Sequence, residues 1–170
     1  SVVIRNGSTC TFNDMFACAK TTGNSFSVEH STLIGNRLIF GDVGSTDSTF
    51  NLVGCDSRLN LGGLTFSSGV AWNFEISGEL PQSGTPVVSA YGFSCSNPST
   101  LDITLDEADF PRGKGGTFTL VHATGMDIAD ATMSKLTIRA PERVKVVRSA
   151  NKRDLIVQIS SGLGVMMIIR

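Results

Sequence analysis

The sequence predicts an all-β protein, a parallel β-helix (solenoid) with coils of about 24 residues and a β-rich cap at its C-terminal end. Four short apolar segments begin at residues 2, 26, 50 and 74, which are equal steps of 24 residues. A second set of segments begins at Met15, Leu38 and Leu64, at similar steps. Gly, Ser, Thr and Asn are frequent between the segments, as expected for short strands joined by tight turns.

Alternation within each segment indicates a strand with one buried face. Apolar Phe26 and Val28 flank Ser27, and the next segment repeats the pattern. In a parallel solenoid, equivalent residues of successive coils stack about 4.8 Å apart. The 24-residue step therefore predicts two interior ladders: Val2, Phe26, Phe50 and Phe74 in one, and Ile4, Val28, Leu52 and Ile76 in the other.

The pattern changes at residues 79–86, where Pro81 and Pro86 exclude a central strand. We therefore divide the chain into solenoid coils, residues 1–79, and the end of the solenoid with an antiparallel or mixed β cap, residues 80–170. A helical turn is predicted within residues 127–133. The strands predicted in the second part are 87–91, 101–105, 117–123, 135–140, 144–148, 155–159 and 165–169.

Composition and charge narrow the possible functions. The 170 residues carry a net charge of −1, which gives no attraction to nucleic acid or to an anionic membrane. No apolar run approaches the roughly 20 residues that a membrane-spanning helix needs. The abundance of Ser, Thr, Asn and Gly, with little Lys, favours an exported surface protein over a cytosolic enzyme.

The cysteines show neither a C-x-x-C motif nor a metal-binding spacing with histidine. A disulfide is possible in an oxidising compartment, but reduced side chains that fill the coil interior are the favoured interpretation. The sequence gives no pairing for the four residues, which are Cys10, Cys18, Cys55 and Cys95.

The two histidines do not form a catalytic set. His30 follows a repeat strand at a turn, and His122 lies on the face opposite Val121, so we expect both to be solvated. The sequence contains no G-x-S-x-G motif, no H-E-x-x-H motif and no phosphate-binding glycine loop. We therefore expect no enzyme activity and assign no catalytic, cofactor-binding or metal-binding residue.

Carboxylates and aromatic residues leave one alternative open, a carbohydrate-binding or polysaccharide-cleaving β-helix module. A cleaving site needs acids on adjacent coils, and the solenoid candidates lie in turns: Asp42, Asp47, Asp56 and Arg58. An acidic segment at residues 102–109 lacks the spacing of calcium-binding β-rolls, so a solvated loop is favoured. Outside the predicted ladders, Trp72 and Tyr91 are the aromatic residues that could stack on sugar rings.

Several stretches resemble bacterial surface proteins of the autotransporter type, whose passengers are parallel β-helices. Residues 38–41 (LIFG) and 48–52 (STFNL) resemble their L-x-V-G…N-T-L-T-V repeats. Residues 115–125 (GGTFTLVHATG) are similar to a G-T-Y-T-L-I-x-A-x-G element near the C-terminal end of such passengers, and residues 151–157 resemble the hairpin that follows it. The resemblance implies an extracellular or cell-surface structural or adhesive protein without a cofactor.

The ends of the chain suggest how it assembles. If Ser1 is the mature start, the first in-phase strand has no preceding coil, and its edge is a template for another chain. Head-to-tail stacking of copies through the two ends would then give a filament. The rival hypothesis is that earlier coils of a longer stalk or adhesin cover this edge. The predicted assembly residues are Val2, Val3 and Ile4 at one end, and Val165, Met167 and Ile169 at the other.

Overall fold

A computed structural model describes residues 1–17, 23–41, 47–67 and 69–162. In this part of the chain nearly all regular structure is β-strand, so the predicted all-β class is confirmed. One short helix, α1, spans Asp130–Lys135. The strands are β1 (Val2–Ile4), β2 (Thr9–Ala17), β3 (Ser25–Glu29), β4 (Thr32–Phe40), β5 (Ser48–Val53), β6 (Arg58–Phe66), β7 (Val70–Ile76), β8 (Val88–Ala90), β9 (Phe93–Cys95), β10 (Ser99–Leu105), β11 (Gly116–Ala123), β12 (Leu136–Arg139), β13 (Val144–Arg148) and β14 (Asp154–Ile159).

The strands form two sheets that the chain visits in turn. Sheet A has the order β1-β3-β5-β7-β10-β12, and sheet B has the order β2-β4-β6-β8-β11-β14-β13, with β9 also beside β6. Every neighbouring pair in sheet A is parallel, and so is sheet B from β2 to β11. Only β14 pairs antiparallel, with β11 on one side and β13 on the other. The predicted parallel β-solenoid is therefore confirmed.

A column of large aromatic side chains fills the space between the sheets. Phe40 stacks on Phe50 with ring centroids 4.6 Å apart, and Phe50 stacks on Trp72 at 5.9 Å. Two rings from sheet B meet Trp72 edge-on, at 5.6 and 6.0 Å. The members of this aromatic column are all buried: Phe26, Phe50 and Trp72 from sheet A, and Phe40, Phe66 and Phe93 from sheet B.

The interior ladder of sheet A departs from the prediction at its third step. Phe26 pairs with Phe50, as a 24-residue step requires. Phe50, however, pairs with Trp72, and Phe74 lies two residues further along the next strand, opposite Leu52. The predicted stacking of Phe50 on Phe74, and of Leu52 on Ile76 in the second ladder, is therefore wrong. The reason is packing, since this register places the fully buried Trp72 between Phe50 and the rings of sheet B.

Hydrogen bonds on the outer face of sheet A follow the same register. The Asn73 amide nitrogen donates to the Asn51 side-chain oxygen at 2.9 Å. The Asn51 amide nitrogen in turn donates to the Ser27 hydroxyl at 3.0 Å. Both faces of β5 and β7 thus support the shifted pairing.

The coils lengthen toward the C-terminal end because their connections grow. Leu64 pairs with Phe93 in sheet B, a step of 29 residues, and the step from Leu101 to Ile138 in sheet A is 37 residues. The strands remain short throughout. The regular spacing of the first 79 residues is therefore lost while parallel pairing continues in both sheets.

Six strands predicted in the second half lie within two residues of their observed bounds. The apolar pattern did not predict β9, a strand of only three residues. The helical turn predicted at residues 127–133 overlaps α1. The predicted strand 165–169 lies outside the described residues.

We expect Phe50→Ala to lower the free energy of unfolding by about 3–5 kcal/mol, because it opens a cavity in the middle of the aromatic column. Urea unfolding followed by circular dichroism measures this change. Thr104→Ala, at an exposed position on β10, is the matched control and should unfold like the wild type. If Phe50→Ala and Thr104→Ala are equally stable, the aromatic column does not make the large contribution to stability that we expect.

Candidate functional site

One end of the solenoid presents an edge strand from each sheet. Within the described residues, β1 pairs only with β3, and β2 pairs only with β4. The predicted assembly residues Val2 and Val3 are among the most exposed large apolar side chains, whereas Ile4 is half-buried. An open edge of this kind carries main-chain donors and acceptors available to another strand.

The interior of the solenoid is also incompletely covered at this end. Phe12 and Met15 of β2 pack against the core but remain half-exposed. Met15 pairs with Leu38 of the next coil, which is fully buried. Because stacked neighbours cover each interior layer, the first layer lacks the cover that the later layers have.

At the opposite end, within the residues that the structure describes, sheet B has one strand more than sheet A. When the strands are matched coil by coil, β12 of sheet A corresponds to β14 of sheet B, and β13 is one strand more. Sheet B thus projects beyond sheet A by one strand spacing, about 4.8 Å. The assembly residues predicted at this end lie outside the described residues: Val165, Met167 and Ile169.

Arg143 fixes the cap to the last coil. Its guanidinium donates to the carbonyl oxygens of Phe110 at 3.0 Å and Lys114 at 2.8 Å, and its Nε donates to that of Ser160 at 3.1 Å. It also faces the Glu107 carboxylate at 3.3 Å. One largely buried cation therefore joins the loop after β10 to the end of β14.

Each histidine lies beside an aspartate in a local pair. His30 Nδ1 is 2.7 Å from Asp56 Oδ1, which lies in the corresponding turn of the next coil. His122 Nδ1 is 2.6 Å from Asp154 Oδ1, its cross-strand neighbour on β14. Both rings are partly exposed, as predicted. The two pairs belong to different coils and do not converge.

The carboxylates and the arginine weighed for polysaccharide cleavage take local partners. Asp56 pairs with His30, and Arg58 donates to the Cys55 carbonyl oxygen at 2.6 Å. Asp47 is an exposed turn residue with φ of 57°. Asp42 lies outside the described residues. Asp47 and Asp56 lie in turns, as predicted, whereas Arg58 is the first residue of β6, so the turn predicted for it is wrong.

The acidic residues at 102–109 also have separate partners. Asp102 pairs with Arg139 at 3.7 Å, whereas Asp109 accepts a hydrogen bond from the Gly78 amide at 2.6 Å. The other two acids bond within the loop or to the cap. Among the described residues, no three metal-ligating side chains come together.

The described cysteines are free thiols, and two of the three fill the core. Cys55 and Cys95 are buried, and burial raises the pKa of each thiol to about 12. Cys10 is half-buried at the open end of the core. Cys18 lies outside the described residues.

A surface groove made of two adjoining pockets lies on sheet B, one of them beside an exposed aromatic ring. One part, about 270 Å³, is lined by Tyr91, Met126 and Asp127. A second part, about 280 Å³, is lined by Asp14, Asn36 and Arg37. Both parts share the floor at Gly62 and Gly63. We refer to the two parts together as the sheet B groove.

The two aromatic candidates for sugar stacking differ in solvent exposure. Trp72 is fully buried in the aromatic column, so it is excluded as a surface platform. Tyr91 leaves 56% of its surface exposed beside the groove. The groove itself could not be found from the sequence, because residues 14, 36, 62, 91 and 126 meet only through the coil register.

No protein-family model, curated protein or solved structure matches this chain. Within the described residues, no helix is long and apolar enough to cross a membrane.

In a Cys18→Ser variant at pH 8, we expect a disulfide reagent such as DTNB to modify Cys10 readily, and Cys55 and Cys95 only after unfolding. Burial shields both thiols and raises their pKa to about 12, and only the thiolate reacts. Spectroscopic counting of modified thiols in buffer and in 6 M guanidinium, as used for full unfolding, measures the difference. Three equally fast thiols in buffer would contradict the described core.

The raised pKa values of the Cys55 and Cys95 thiols make the free energy of unfolding depend on pH. The folded state holds Cys55 and Cys95 as neutral thiols to about pH 12, whereas the unfolded thiols ionise near 9. Their contribution to stability is therefore complete below pH 9 and decreases as the pH rises from 9 toward 12. Urea unfolding of the wild type and a Cys55→Ala variant at pH 7.5 and 10 should show a larger loss with pH in the wild type.

Proposed function

We propose that this chain is a non-enzymatic structural segment of an extracellular or cell-surface protein, a stalk or adhesin piece that is extended by stacking parallel coils. The observation that carries the proposal is the incomplete cover of β1 and β2. Half-exposed Met15 continues the buried ladder of Leu38 and Leu64, and the half-exposed ring of Phe12 lies over Gly35. Val2 and Val3 lie on the open edge. One more parallel coil would bury these side chains and pair the free main-chain groups.

The occupant that we propose for this end is a coil from the same longer surface protein. A second copy stacked by simple translation fits less well. If its β1 paired with β12, its β2 would fall at the level already occupied by β13. A translated copy can therefore continue one sheet but not both, within the residues that the structure describes.

The remaining features support a structural role in the same way. The aromatic column and the uninterrupted parallel pairing of sheet A connect the coils into one packed unit. Arg143 joins the β10–β11 loop to the end of β14 and so holds the cap to the last coil. The terminal part of a stalk needs one end that accepts the next coil and another end whose cap is held to the last coil. The composition, rich in Ser, Thr, Asn and Gly, is consistent with export.

We expect amide hydrogen exchange to distinguish a covered edge from a free one. In the isolated 170-residue chain, amides of β1 and β2 should exchange at least about 100-fold faster than those of β5 and β6, because edge strands open locally. In the native protein isolated from its source, β1 and β2 should be as well protected as β5 and β6. Mass spectrometry of the native protein should also identify peptides that continue before Ser1.

The rival hypothesis makes a different prediction for the isolated chain. Filaments seen by negative-stain microscopy, formed by a mature protein that starts at Ser1 and abolished by Val3→Lys, would contradict the stalk proposal. They would assign the open edge to self-assembly, since a lysine on an edge strand opposes pairing with another chain. Short particles that do not grow with protein concentration agree with the stalk.

A further inference from the structure

The sheet B groove begins where the ladder beside β6 is interrupted. β6 pairs with β8 up to Leu61 and with β9 from Leu64 onward. Between these points Tyr91 and Gly92 form a bend, and the register of β6 with β8 and β9 skips Gly62 and Gly63. A Cβ at Gly63 would meet nothing within 4 Å, so the floor is open to a ligand there, whereas Gly62 lies close against Asn36.

Tyr91 is held in place as a rigid platform at one side of this floor. Its ring lies so close to Gly125 that a Cβ there would be 2.1 Å from the ring. The amides of Gly125 and Met126 both donate to the Tyr91 carbonyl oxygen, at 3.0 and 2.8 Å. The exposed Met126 side chain lies against the same opening. Little ordering of this platform is therefore needed when a ligand binds.

Polar groups are placed at both ends of the groove. Asp127 lines the Tyr91 part and pairs with Arg153 at 3.5 Å. In the other part, Asp14 accepts from the Asn36 amide nitrogen at 3.3 Å and lies 3.5 Å from Arg37. Each of these carboxylates is thus paired with a guanidinium, Arg37 within the groove lining and Arg153 outside it, so neither carboxylate presents an uncompensated charge.

We propose that the sheet B groove binds a neutral carbohydrate chain, with one pyranose ring stacked on Tyr91 and its neighbour over Gly62 and Gly63. A sugar ring has an apolar C–H face that suits an aromatic platform, and hydroxyls that suit carboxylate, amide and open peptide groups. Balanced charge favours a neutral polymer over an anionic one. Each part is close to the lower end of the roughly 300–1,000 Å³ of ligand sites.

This inference stands apart from the proposed structural role, because a stalk needs no groove. A glycan site on the side of the solenoid would make the segment adhesive. The two ideas fail separately, because the edge experiments measure exchange and assembly at β1 and β2, whereas the groove is tested by polysaccharide binding to variants at Tyr91 and Gly63, which lie on neither strand.

Two variants test the groove without disturbing the core. Tyr91→Ala removes the platform. Gly63→Val places a side chain in the groove, because a Cβ at Gly63 meets nothing within 4 Å and its φ is not positive. Thr104→Val, on the exposed face of sheet A, is the matched control. Urea unfolding should give the same midpoint for Gly63→Val and for the wild type.

The binding experiment is affinity electrophoresis of the full chain in native gels. The gels contain galactomannan, xyloglucan or mixed-linkage β-glucan, with chondroitin sulfate as the anionic comparison. We expect at least one neutral polysaccharide to retard the wild type and the Thr104→Val control. Both groove variants should bind roughly tenfold or more weakly, the equivalent of losing one well-packed contact. A shift of the Met126 methyl signal on addition of the bound polysaccharide locates the site.

The proposal is overturned if no neutral polysaccharide in the panel retards the wild type. It is also overturned if Gly63→Val binds as strongly as the control, or if chondroitin sulfate is the only ligand retained. In the last case the charges of Arg37 and Arg153, and not the Tyr91 platform, would determine binding.

Discussion

The aromatic column between the two sheets is the interaction on which the rest of the structure depends. Hydrogen bonds join each strand to its neighbours in the same sheet, but the facing sheets are held together by side-chain packing. Phe40, Phe50 and Trp72 are in contact across the sheets and across successive coils at once. Because protein interiors are close-packed, these rings also fix which residues can be opposite one another. The register of the coils is therefore a consequence of ring packing.

The same packing explains why the two ends and the turns behave differently. An interior layer is covered on both sides, whereas the layer of Phe12 and Met15 has a neighbour on one side only. Turns lie outside the column, so they lengthen toward the C-terminal end without disturbing the strands. One such change, the interruption between β8 and β9, creates the glycine floor of the sheet B groove. The proposed stacking edge and the proposed glycan site thus both lie at the border of the core.

The sequence alone predicts the parallel solenoid, but it does not predict the sheet B groove. Apolar residues at regular steps identified the parallel solenoid, and alternation located strands even after the spacing was lost. The 24-residue step failed at β7, because a repeat read from apolar type alone cannot weigh the volume of Trp72 against that of Phe74. Tyr91 and Trp72 were equivalent candidates for a surface aromatic, and only the register separates them. Asp14, Gly63 and Tyr91 belong to different coils, so no local pattern could have joined them.

Cross-linking of the outer face of sheet A tests the register, and with it the central place of the aromatic column, most directly. In a Cys10→Ser/Cys18→Ser background, cysteines replace Asn51 and Asn73 in one variant, and Asn51 and Glu75 in another. Asn51 pairs with Asn73, and the neighbouring Cα atoms, about 4.8 Å apart, suit a disulfide. We expect mild oxidation to link residues 51 and 73 rapidly and almost completely, as measured by peptide mass spectrometry. Preferential linkage of residues 51 and 75 would restore the 24-residue step and contradict the packing of Trp72 on Phe50.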